Sequence, residues 1–220
     1  MHIMKSLRGI FLSYDPMKPL ILFFSCFLFL QACSQDSPVI KVHFLYGSKP
    51  LHRYKDTEPK WFGGMLGGHV GIETDSGHIL NFMPRGSFHW FARKDSLHSC
   101  YAVHNENSFY AIMGGNPDSV KKLIITIPVT IQQKKKLDSL STAYLQHTPY
   151  DYALFGMRCG AAAYEILGQL AVVQHYSYRK TWRKIFYPKK LRKRLLARAM
   201  QDRWSIQRYD GSSKRKWEKD

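Results

Sequence analysis

Acidic side chains are scarce in this chain. Asp and Glu number 16 against 33 Lys and Arg, a formal net charge of +17, and much of the excess follows Tyr178. A local excess of that kind calls for an anionic partner, and no nucleic-acid-binding motif accompanies it; phospholipid head groups or cell-wall polymer remain. Apolar runs are short as well. The uncharged stretch at residues 19–30 is about a dozen residues, too few to span a bilayer. Only four cysteines occur, Cys26, Cys33, Cys100 and Cys159. Histidine is plentiful, but none of His43, His52, His89, His98, His104, His147 and His175 stands at a recognised ligand spacing, so neither a metal nor another cofactor is expected. The glycine-rich segment 63–68 lacks the spacing and following lysine of a phosphate-binding loop and is read as backbone freedom around a site. There is no internal repeat and no low-complexity segment.

What the N-terminus does contain is more specific. Lys5, Arg8 and Lys18 precede the apolar stretch, which ends in Leu30-Gln31-Ala32-Cys33. A short apolar segment followed by small residues before a cysteine matches a bacterial lipobox, so residues 1–32 are expected to be a signal peptide and 33–38 a tether carrying a lipid on Cys33. The anchor places the chain at the cell envelope, and Ser34 supplies no inner-membrane retention cue of the aspartate kind, which favours the outer membrane facing the periplasm. An uncleaved anchor is the alternative, with Cys33 an ordinary thiol. A start at Met17 gives the same mature chain. Cys26 leaves with the signal, so Cys100 and Cys159 either form one disulfide or leave Cys159 free as a nucleophile.

Residues 39–177 are expected to form one α+β domain, with an antiparallel sheet packed against a cysteine-bearing helix. Strands are expected at 39–46, 87–92, 101–104, 109–113 and 120–130. Residues 69–74 and 78–83 read as a hairpin closed by Asp75-Ser76-Gly77, with Gly77 left-handed. An odd loop pairs odd positions with odd ones. Val70, Ile72, Leu80 and Phe82 then share an apolar face, while His69, Gly71, Glu73, Asn81 and Met83 share the other. Thr130 caps a helix running to about Gln146, a second helix starts near Cys159 and runs toward Leu170, and a basic third one spans 188–200.

Cys159 stands at a helix start beside Arg158, where the helix dipole and the guanidinium both favour a thiolate. His69 and Asn81 can supply a base and its orienting group from the hairpin, with Glu73 and His78 as substitutes for Asn81.

The segment from His69 through Asn81-Phe82-Met83-Pro84, followed by Pro149-Tyr150-Asp151-Tyr152 leading to Cys159, resembles the circularly permuted NlpC-like and lecithin retinol acyltransferase-like families. These have a papain-like core in which the histidine strand precedes the cysteine helix. The resemblance spans roughly residues 69–170 and rests on about a dozen of them. It implies a permuted papain-like fold and a cysteine hydrolase working through a thioester, with Cys159 the nucleophile, His69 the base and Asn81 its orienting partner. Tyr150, Asp151 and Arg158 become candidate substrate contacts. The chain departs from the families at Gly160-Ala161-Ala162, where many members carry a polar residue after the cysteine, and at Asn81, where many carry histidine. Cell-wall peptide is the substrate that envelope anchoring suggests. A lipid amidase or acyltransferase, and a non-catalytic envelope-binding lipoprotein of the same fold, stay open beside it.

Residues 178–220 form a basic, aromatic-containing C-terminal extension. Leu191, Leu195, Leu196 and Met200 can share one helix face, with Arg192, Lys193 and Arg194 around it offering contacts to an anionic surface. A helix packed on the core with a solvated basic side is the alternative.

Overall fold

A computed structural model describes residues 37–86, 89–93 and 98–220. The expected signal peptide, Cys33 with its lipid, and residues 87–88 of the expected 87–92 strand lie outside them. In chain order the strands are β1 (Val39–Leu45), β2 (Ser48–Pro50), β3 (His69–Asp75), β4 (His78–Pro84), β5 (His89–Phe91), β6 (Ser99–Asn105), β7 (Lys122–Pro128), β8 (Ala153–Phe155), β9 (Ser205–Tyr209) and β10 (Arg215–Trp217). The helices are α1 (Glu106–Tyr110), α2 (Ile131–Gln146), α3 (Cys159–Gln169), α4 (Tyr178–Lys184) and α5 (Pro188–Asp202).

Six strands make one antiparallel sheet in the order β6-β4-β3-β1-β7-β9. The hairpin has the expected parity. Gly71 faces Asn81, Ile72 faces Leu80, and the register shifts only near the turn, where Gly77 takes φ 77°. Gly is suited to that left-handed turn because it has no Cβ to clash. Val42, Phe44, Val70, Ile72, Leu80, Phe82, Leu123 and Ile125 consequently bury one face against α3 and α5. Each such side chain contributes roughly 1.5–3 kcal/mol by leaving water, enough to hold the register against a one-residue slip.

The other face is covered differently from the expectation. Residues 109–113 are not a strand. Asn105 accepts from the backbone N–H of Ser108, opening α1, which lays Phe109 and Tyr110 beside Leu45 and Ile79. The apolar run reads locally as a strand, but the cap and the shape of the sheet face turn it into a helix. Gly71 lies under Phe109, where an added Cβ would come within 2.4 Å of the Ile79 side chain and 2.9 Å of the Phe109 ring.

α2 begins as expected. Thr130 and Gln133 cap it reciprocally, each side chain bonded to the other's backbone N–H.

Residues 178–220 belong to the same compact unit, Ser37–Asp220. α5 packs on α3, β9 forms a sheet edge on β7, and β10 pairs with β2. Arg192 on α5 is fully buried, bonded to Glu218 at 2.8 Å and Asp220 at 2.9 Å, with its guanidinium 3.8 Å from the centre of the Tyr46 ring. It is a core cation with internal partners, which removes it from the surface-contact role read from the sequence. Lys193 is exposed, and Arg194 is half-buried against Tyr176 and Tyr164. Among the described residues no helix is long and apolar enough to cross a membrane.

Candidate functional site

His69 occupies the first position of β3 and Cys159 the first position of α3. The strand contributes His69 on the face covered by α1, where its ring lies 5.5 Å from Phe109, whereas α3 packs on the opposite face. Both residues line one cavity of about 700 Å³. Its other walls come from the glycine-rich segment, through Gly63, Gly67 and Gly68, and from Tyr152, Arg158 and a largely apolar group that includes Leu66, Met83, Trp90, Ile112 and Phe186. Gly63 takes φ 75°, a conformation that lets the chain fold back on itself here.

The protonation of His69 follows from its neighbours. Asn81 Nδ2 donates to the carbonyl of Ala102 at 3.1 Å and lies 3.3 Å from that of Ile79 and 2.9 Å from His104 Nδ1. Carbonyls only accept, so the amide nitrogen must face them and Oδ1 must face His69, 2.9 Å from Nε2. Oδ1 also only accepts. His69 therefore carries its proton on Nε2 and keeps a lone pair on Nδ1, the form a general base needs. Burial lowers its pKa to about 4, against a smaller upward pull from the Asn81 bond, so the ring is neutral at ordinary pH. His104, sitting behind Asn81, was not singled out by sequence. Its parity on β6 was the available signal.

The sulfur has a different environment from the one expected. Burial pushes the Cys159 thiol pKa up, and this outweighs the hydroxyl of Tyr152 at 3.9 Å, the backbone N–H groups of Gly160 and Val70 and the charge of Arg158, all of which favour the thiolate. A helix start and a neighbouring guanidinium do not suffice once the thiol is desolvated. Among the described residues Cys159 and His69 are not hydrogen-bonded to each other; the resting site is a thiol and a neutral imidazole on one cavity, with N–H groups aimed at the sulfur. Cys159 and Cys100 are both free.

Gly160 has a packing role. A Cβ there would meet the backbone of Tyr187 and Pro188 at 3.0–3.2 Å, so the glycine admits the start of α5 beside Cys159. This accounts for a small residue after Cys159.

Asp151 is buried and bonded to His89 Nδ1 at 2.8 Å and the Arg93 backbone N–H at 2.9 Å, contacts that organise a loop. Tyr150 joins an aromatic cluster with Phe82 and Tyr101, its hydroxyl bonded to that of Tyr101. Neither lines the cavity. Glu73 shares the His69 face as expected but serves Lys41 and His43, and His78 is exposed. Arg158 does line the cavity. No group of three or more possible metal-ligating side chains occurs among the described residues. No protein-family model, curated protein or solved structure matches this chain.

Proposed function

We propose that this chain is an envelope-anchored cysteine hydrolase of permuted papain-like, NlpC-like architecture, tethered by a lipid on Cys33 and acting on amide bonds by acyl transfer. The observation that carries the reading is the pairing of an Asn81-held, Nε2-protonated His69 with Cys159 on a single cavity. In the first half-reaction the sulfur attacks the substrate carbonyl while its proton passes to Nδ1 of His69. The C–N bond breaks as His69 returns that proton to the leaving amine. Water, deprotonated by His69, then attacks the thioester and releases acid and thiol. The N–H groups of the first turn of α3, which has no side-chain cap, suit the developing oxyanion once substrate takes the place of their resting contacts, the Tyr152 hydroxyl for Cys159 N–H and the sulfur for Gly160 N–H.

Anchoring at the envelope suggests cell-wall peptide as substrate. The apolar walls of the cavity favour a second reading, a lipid amidase or acyltransferase.

Acylation of the full chain by 4-nitrophenyl octanoate, followed by mass spectrometry, tests the reading. The expected result is one acyl group on Cys159, formed at a rate that falls about 10²-fold or more in His69→Ala. Because the base must be unprotonated and its pKa lies near 4, the rate should resist acidification until pH approaches that value. Acylation indifferent to His69 would sink the enzyme reading and leave an envelope-binding lipoprotein.

A further inference from the structure

The residue before the nucleophile is unusual in its surroundings. Arg158 is 7% exposed, yet its Nε and Nη2 atoms are buried with no hydrogen-bond partner, and no carboxylate pairs with it among the described residues. Its guanidinium carbon lies 3.4 Å from the centre of the Phe186 ring, and both residues line the cavity that holds Cys159. Stacking on a ring fixes the plane of the fork.

Which atoms lack partners matters. In a guanidinium the Nε–H and one Nη2–H point the same way, side by side, and together make the fork that grips two coplanar oxygens of one anion. Those are the two atoms left without partners. Burying unpaired guanidinium donors costs several times the net gain of an ordinary hydrogen bond, and desolvation already lowers the Arg158 pKa from its usual value. The fold tolerates this cost at the residue adjoining the nucleophile and inside a mostly apolar cavity.

We propose that Arg158 is the anion-recognising residue of the site, gripping through Nε and Nη2 a carboxylate or phosphate carried by the substrate close to its scissile acyl bond. The inference rests on the acyl-transfer reading above for the identity of that bond, but the anion subsite stands on geometry independent of catalysis. The ligand class is an amphiphile, with an apolar acyl part against walls such as Leu66, Met83 and Ile112 and an oxyanion beside the reacting carbonyl. Both leading substrate classes contain such groups, since peptides end in carboxylates and many lipids carry phosphate.

Three probes separate the possibilities in the full chain carrying Cys159→Ala, which binds without turnover. N-octanoylglycine presents a carboxylate, N-octanoylphosphoethanolamine a phosphate, and N-octanoylethanolamine the same amide without charge. At least one anionic probe should bind about 10-fold or more tightly than the neutral one, as a charge-assisted bidentate pair requires, and the tighter of the two identifies the anion. Arg158→Gln should abolish that preference while leaving the neutral probe within about 2-fold, and Arg158→Lys, which keeps charge without the fork, should recover only part of it. Equal binding of all three probes by the Arg158-containing chain overturns the proposal without relying on a variant that must fold, and so does a preference that survives Arg158→Gln. Turnover of the preferred probe by the chain with Cys159 intact is a separate readout. An Arg158-dependent preference without turnover or acylation of Cys159 would retire the hydrolase reading and keep the anion subsite.

Discussion

Lowering the pH from 7 to about 4.5 should destabilise this protein through His69 specifically. The folded ring holds a pKa of about 4, chiefly because it is buried, whereas an unfolded histidine titrates near 6.5. Between those values the unfolded chain binds a proton that the folded chain refuses. Stability therefore falls as pH drops through that window and is unaffected by this group above it. Integrating from pH 7 to 4.5 gives a loss of about 2 kcal/mol, roughly two-thirds of the ~3 kcal/mol that the gap between those two pKa values carries in full. His43 is also lowered by burial, partly offset by Glu73, and shifts stability in the same direction. Glu73 itself, held below the usual carboxylate range by Lys41, His43 and the Gly77 N–H despite its burial, adds a loss at lower pH. A difference measurement removes both. Urea unfolding of the parent and of His69→Gln, each at pH 7 and 4.5 and equal ionic strength, should show the parent losing about 2 kcal/mol more than the variant. Equal losses would mean that His69 is not held neutral behind Asn81, and would remove the basis for calling it a general base.

Gly160→Ala should destabilise the chain by roughly 1–3 kcal/mol, because the new Cβ meets backbone of Tyr187 and Pro188 that cannot rotate away; thermal unfolding checks this, and a gain of the kind helix propensity alone would bring would refute the packing argument. Deleting residues 218–220 should cost about 3 kcal/mol by leaving Arg192 buried without either carboxylate. Arg192→Met in the shortened chain should recover most of that loss, and urea midpoints that do not respond would show that the ion pairs contribute nothing.

Much of the site's frame was legible along the chain. The Asp75-Ser76-Gly77 turn sets the parity that places His69 and Asn81 on one face, because side chains alternate strictly along a strand. Thr130 with Gln133 announced the start of α2 through a local hydrogen-bond pair. Cys159 fell at a helix start because the apolar periodicity begins there and a loop precedes it. Residues 109–113 misled because an apolar run satisfies a strand locally, while the face that Phe109 and Tyr110 cover exists only once β1, β3 and β4 have paired.

The sequence by itself determined the alternation, the caps, the turn and the order in which histidine strand precedes cysteine helix, since each depends on residues a few positions apart. Only the tertiary structure decided the charges. Desolvation is set by what packs around a group, so the thiol of Cys159 rises where its neighbours along the chain argued for a fall, Arg192 becomes a buried internal cation, and Arg158, which lines the cavity, is left with a buried, unpaired fork. Residues far apart in the chain make those environments, and local sequence holds no record of them.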